Sequence, residues 1–108
     1  MNSITVIIPV YNAELTLPDL YRQLIPTMEG ITPDFEVIFV EDCGKDKSWQ
    51  IIQEIANRDK HVIGIKLSKN YGQHNALLCG IRAATKDIII TLFSALPLHF
   101  ASAFGSKN

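Results

Sequence analysis

The chain has 108 residues, 47% hydrophobic and 8% aromatic, with ten basic residues against eleven acidic ones and a formal net charge of −1. That length suits one small domain, large enough to hold a core though on the small side for an α/β enzyme. The balanced charge, without a run of either sign, excludes both the electrostatic footprint of a nucleic-acid binder and a polybasic membrane patch. Cys43 and Cys79 lie in different segments and form no CxxC or Cys/His cluster. A disulfide framework or zinc site is therefore not expected, and a reducing, cytoplasmic setting is. The start, MNSITVIIPV, has no basic stretch and meets Pro9 early, unlike a secretory signal.

Four apolar runs alternate with three stretches of helical period. The runs are ITVIIPV (4–10), FEVIFV (35–40), HVIGIKL (61–67) and DIIITL (87–92). Near-continuous β-branched residues in the first and last fit parallel strands buried on both faces. In the first helical stretch, Leu17, Leu20, Tyr21, Leu24, Ile25 and Met28 repeat at helical spacing. Thr16 is its expected N-cap, Asp19 completes a capping-box-like pair, and Pro26 is expected to kink or end it. The second, near Ser48 to Arg58, buries Trp49, Ile52, Ile55 and Ala56, with Asp46 as candidate cap. The third, over 73–84, carries Leu77, Leu78, Ile81 and Ala84, and Gly80 lets it approach the sheet closely. The order βαβαβαβ predicts right-handed crossovers and a parallel α/β sheet, with no linker or internal repeat. Residues 88–106 contain no Asp, Glu, Lys or Arg, about the length that spans a bilayer. Thr91, Ser94, Pro97, His99, Ser102 and Gly105 interrupt them, and their first part reads as a strand, so a membrane helix is not the expectation.

Ligands of open α/β sheets bind beyond the carboxyl ends of the strands, so the loops there are the candidate site walls. No GxGxxG or GxxxxGK[ST] follows any strand, which disfavours a dinucleotide dehydrogenase and a P-loop ATPase. After the first strand, Asn12 and Glu14 either cap the next helix or face a ligand. After the second, Glu41 and Asp42 either form a solvated turn or supply a carboxylate to a base or ribose; a charged acceptor suits the N–H of uracil or guanine. After the third, Lys69, Asn70, Gly72, Gln73 and His74 stand together, with Lys69 suited to an anion and His74 more often structural than catalytic. A phosphoacceptor receiver domain also carries an acidic pair after a strand. Here the pair follows the second strand, and no aspartate ends the third.

PVYNAE, FEVIFVEDCGKDKSW and GIKLSKNYGQHNALLCGIRAATKDIIITL together resemble the inverting family 2 glycosyltransferases of GT-A fold. SKNYGQHNALL points to the polyprenyl-phosphate sugar transferase branch, the bactoprenol glucosyltransferase and dolichol-phosphate mannosyltransferase-like enzymes. The resemblance implies a Rossmann-like, N-terminal nucleotide-sugar-binding half over residues 1–92. It assigns Pro9, Tyr11, Asn12 and Glu14 to the nucleotide pocket and Asp42 to the base, with Glu41 where Asp or Asn is usual. Lys69, Asn70, Gly72 and Gln73 fall beside the ribose and diphosphate. It implies a UDP- or GDP-hexose donor, a polyprenyl phosphate acceptor, and Mg²⁺ or Mn²⁺ held by a DxD motif right after DIIITL. Full-length relatives of this kind work at the cytoplasmic face of the membrane.

Phe93, Ser94 and Ala95 occupy the DxD position, and none can ligate a hard cation through a carboxylate. The match stops within one residue, so residues 93–108 are expected to be a non-matching tail from a frameshift or splice-like junction near codon 93. No catalytic or metal-binding residue is then expected, and transfer by this chain alone is not. The alternative is a non-catalytic nucleotide-binding or interaction fragment, with self-association through an exposed sheet edge.

Overall fold

The computed structural model describes residues 2–93 and, as backbone, residues 100–106. Its elements run β1 (Ile4–Val10), α1 (Leu17–Ile31), β2 (Phe35–Glu41), α2 (Ser48–Arg58), β3 (Val62–Lys66), α3 (Gln73–Ala83), β4 (Ile88–Leu92) and β5 (Phe100–Ser106). They build one sheet of order β3-β2-β1-β4-β5. The first four strands are parallel, as expected: Ile4 pairs with Phe35 on one side and with Ile88 on the other, and Val37 pairs with Val62. A fifth strand, which the sequence reading did not anticipate, joins this parallel sheet. β5 runs antiparallel to β4, with Leu92 opposite Phe100 and Ile88 opposite Ser106.

Every residue of β1 and β2 is buried because helices cover both faces. Val6, Ile8, Val10, Val37 and Phe39 pack with Leu17, Leu20, Leu24 and Met28 of α1 and Ile52 and Ile55 of α2. The alternate residues Ile7, Ile38 and Val40 pack with Ala76 and Ala84 at α3. The sheet is thus a middle layer whose two-residue period feeds two cores. Gly80 permits the α3 contact, since a Cβ there would stand 2.4 Å from Cγ2 of Ile7.

The helix starts differ from expectation in detail. Thr16 is the N-cap of α1, yet its side chain makes no cap bond and its hydroxyl donates to the Ala13 carbonyl at 3.3 Å. α1 does not end at Pro26 but continues to Ile31; the proline forfeits one helical donor, and the buried stripe ending in Met28 holds the turn in place. Lys47 is the N-cap of α2, while Asp46, one residue earlier, accepts the Ser48 N–H at 2.9 Å. At the amino end of the sheet, buried Glu36 accepts the Thr5 hydroxyl at 2.7 Å and both the N–H and the hydroxyl of Thr85, which fixes the entry to β4. Among the described residues no helix is long and apolar enough to cross a membrane.

Candidate functional site

From β1 the chain steps to β2 and β3 on one side, whereas β4 lies on the other. That reversal opens a crevice at the carboxyl ends of the strands, where open α/β sheets take their ligands. A cleft of about 380 Å³ sits there, lined by Pro9, Val10, Tyr11, Asp42, Asn70, Gly72, Gln73 and Phe93. Its size is that of a small-molecule site, roughly 300–1,000 Å³. A hollow of about 520 Å³ involving Glu29, Arg58, Asp59, Lys60 and His61 lies at the opposite sheet end, away from the strand termini that usually carry chemistry.

Asp42 is only 3% exposed, so it is not the solvated turn residue of the alternative reading. One carboxylate oxygen accepts the Tyr71 N–H at 2.8 Å and the other accepts the Gly72 N–H at 2.9 Å. The loop after β3 is thereby tied to the end of β2. Gly72 has φ 91°, a left-handed conformation that suits glycine, and it precedes the first residue of α3. Glu41, 1% exposed, turns inward: it accepts the Cys43 N–H at 3.1 Å and the Gly44 N–H at 2.6 Å, with the Lys66 ammonium 3.8 Å away. It shapes the β2–α2 turn and is absent from the cleft lining.

Asn12 and Glu14 do not cap α1. Asn12, at φ 51°, accepts the Lys45 N–H through Oδ1 at 3.0 Å. The Ala13 N–H donates to the Ser48 hydroxyl oxygen at 2.9 Å, and the Glu14 N–H to Asp46 at 3.0 Å. Burial pushes the Asp46 carboxyl up, but the bonds from Ser48 and Glu14 outweigh it and leave the group below its usual value. These contacts lash the β1–α1 loop to the β2–α2 loop beside the cleft. Lys69 also stands off the lining, its ammonium 5.4 Å from the Tyr71 ring centroid. Of the residues expected at the site, the structure therefore gathers Pro9, Tyr11, Asp42, Asn70, Gly72 and Gln73 in one cleft. Asn12, Glu14 and Lys69 lie outside that lining, and exposed His74 lies in the first turn of α3. Val10 was not anticipated, because a buried apolar strand residue carries no chemical signal.

Residues 5–92 match the family described as glycosyl transferase family 2. The chain belongs to that family. It is 42% identical over 93 residues to the undecaprenyl-phosphate 4-deoxy-4-formamido-L-arabinose transferase of Proteus mirabilis, covering 85% of this chain and 28% of that protein. The corresponding Shewanella sediminis transferase is 39% identical over 90 residues, 82% of this chain and 27% of its own length. The chain thus spans little more than a quarter of the curated relatives it matches. Among solved structures, S. aureus TarS 1–349 in complex with UDP-GlcNAc aligns with a TM-score of 0.71 at 26% identity, over 85% of this chain and 26% of TarS 1–349. The mannosyltransferase PcManGT from Pyrobaculum calidifontis, solved with GDP-Man and Mn²⁺, shares the fold at 23% identity and a TM-score of 0.65, over 86% of this chain and 27% of its own.

The residues present do not fit a divalent cation of the kind the resemblance implies. Phe93 lines the cleft after β4 and offers no donor; Ser94 and Ala95 lie outside the described residues. Asp42 is the one carboxylate on the described lining, and both its oxygens already accept backbone N–H groups. Among the described residues no group of three or more His, Cys, Asp or Glu is placed to hold a metal.

Proposed function

We propose that the cleft binds the nucleoside diphosphate of a UDP- or GDP-linked sugar, making this chain the donor-binding part of an inverting sugar transferase that acts on a polyprenyl phosphate. The observation that carries this reading is one crevice at the strand reversal whose walls come from the PVYNAE, VEDCG and KNYGQ segments. In such a transfer an acceptor phosphate oxygen forms the new bond to the anomeric carbon as the bond to the departing nucleoside diphosphate breaks. Tyr11 would take the base, and Asn70 and Gln73 the ribose and diphosphate. The likeness to TarS bound to UDP-GlcNAc supports a nucleotide-sugar ligand, and the two undecaprenyl-phosphate transferases support the acceptor class. A polyprenyl phosphate is a membrane lipid, so the work belongs at the cytoplasmic membrane face.

We infer also that the chain alone binds nucleotide weakly and does not transfer sugar, because the end of β4 presents Phe93 where a cation-holding carboxylate is needed. Titration of the 108-residue chain with UDP and GDP is expected to give weak binding that is lost in Tyr11→Ala. Incubation with labelled UDP-sugar and undecaprenyl phosphate is expected to yield no glycolipid. Absence of nucleotide binding would remove the reading of the cleft, and any glycolipid product would remove the inactivity.

A further inference from the structure

Asp42 differs from the other cleft residues in what it holds. It lines the cleft itself, and its two oxygens accept successive backbone N–H groups from Tyr71 and Gly72, 29 and 30 residues later in the chain. The loop it grips contributes Asn70, Gly72 and Gln73 to the same lining. Gly72 N–H has a second acceptor, Asn70 Oδ1 at 2.9 Å, whereas the hydrogen bond of Tyr71 N–H goes to Asp42. Gly72 stands immediately before α3, and its carbonyl accepts the Ala76 N–H at 3.0 Å, so the grip also sets where α3 begins. Bonds of this kind, from backbone N–H to a charged acceptor at a buried site, are the stronger class.

We infer that Asp42 is a positioning residue: it clamps the Asn70–Gln73 wall against the end of β2 and so sets the width of the cleft for every nucleotide that enters. The inference rests on the proposed nucleotide site and adds to it. A carboxylate that acted only on the base would discriminate between bases; a clamp governs the ribose and diphosphate side, which all nucleoside diphosphates share. Asparagine is the informative replacement. It keeps the shape but offers one carbonyl oxygen and one NH₂, so one of the two backbone N–H groups loses its acceptor and meets a donor.

The test pairs amide hydrogen exchange with binding of two probes, UDP and GDP, on the full 108-residue chain. In the unsubstituted protein the Tyr71 and Gly72 amides are expected to be protected although the residues on either side of them are exposed. In Asp42→Asn, exchange at one of the two amides, Tyr71 or Gly72, is expected to accelerate about tenfold or more, the order of one lost charge-assisted bond. The Kd values for UDP and GDP are expected to rise by the same factor, with their ratio unchanged. Trp49 fluorescence fixes conditions in which both proteins are fully folded, where a role in stability alone leaves Kd unmoved. Selective loss of one nucleotide with Tyr71 and Gly72 both still protected would overturn the clamp in favour of direct base contact. Unprotected Tyr71 and Gly72 amides in the unsubstituted protein would overturn it as well, even if Asp42→Asn does not fold. If neither nucleotide binds, the proposed site fails, and the amide exchange still decides the clamp.

Discussion

Tyr21, Asp59 and His61 meet at the amino end of the sheet, and their hydrogen bonds make stability depend on pH at both extremes. The Tyr21 hydroxyl donates to Asp59 Oδ2 at 2.7 Å, the His61 N–H donates to Oδ1 at 2.9 Å, and His61 Nδ1 lies 3.1 Å from the same oxygen. The His61 ring stacks on Phe35 with centroids 4.1 Å apart, which fixes its orientation. Burial pushes the Asp59 carboxyl up, but the bonds from Tyr21 and His61 outweigh it and hold the group below the ordinary value. A depressed carboxyl adds stability above its unfolded pKa of about 3.9 and loses it as the pH falls through the folded value. Burial first, then the bond to Asp59, pushes the Tyr21 hydroxyl up. That group adds stability below its unfolded pKa of about 10 and loses it as the pH rises through the raised value. Tyr21→Phe removes the shared bond. Urea unfolding followed by Trp49 fluorescence is expected to show a loss of about 1.5 kcal/mol at pH 7, with shallower pH dependence on both limbs. Unchanged limbs would mean that the bond contributes nothing. None of this was legible in the sequence, because one side chain comes from α1 and the other two from the α2–β3 connection, nearly forty residues later.

At the scale of elements, the four parallel strands were legible because their β-branched runs admit little else, and the third helix because its small residues marked a tight approach. The approach is testable by two substitutions of the same kind in opposite surroundings. In Gly80→Ala the new methyl meets buried Ile7 at 2.4 Å, so overpacking of about 1–3 kcal/mol outweighs the gain in helix propensity of about 1 kcal/mol. In Gly30→Ala, inside α1, nothing lies within 4 Å of the new Cβ. There the propensity gain stands alone, near 0.5 kcal/mol so close to the helix end. Denaturation midpoints are expected to fall for the first variant and rise slightly for the second; two rises would show that α3 sits farther from β1 than described. What the sequence hid at this scale was β5. FASAFGS has no β-branched residue and sets its two Phe among Ala, Ser and Gly, so local preference is weak, and the strand is defined by its pairing with the edge of β4. Of the two outcomes expected at Pro26, the end of the helix does not occur, because tertiary burial of α1 overrides a local breaker.

For the whole molecule, strand order decides where function can sit, and order is what a single sequence leaves open. The loops after β1, β2 and β3 were foreseeable as walls. That Asp42 would grip the third loop instead of standing free followed only once β2 lay between β1 and β3. The same order leaves the outer side of β3 without a partner strand among the described residues, and Ile63 there is 38% exposed. An edge strand carrying an exposed isoleucine is a template for pairing with a second chain; Lys66 is the one charge within β3 that opposes it. The expected behaviour is concentration-dependent association by sedimentation velocity, indifferent to UDP because Ile63 is remote from the cleft lining. In Ile63→Lys the dependence should flatten, while the unfolding free energy from urea titration stays within about 0.5 kcal/mol, as for other surface changes. If Ile63→Lys associates as readily as the unsubstituted chain, the contact does not run through β3. Association that UDP reverses would place it at the cleft mouth instead, and the donor site and the interface would then be competing uses of one surface.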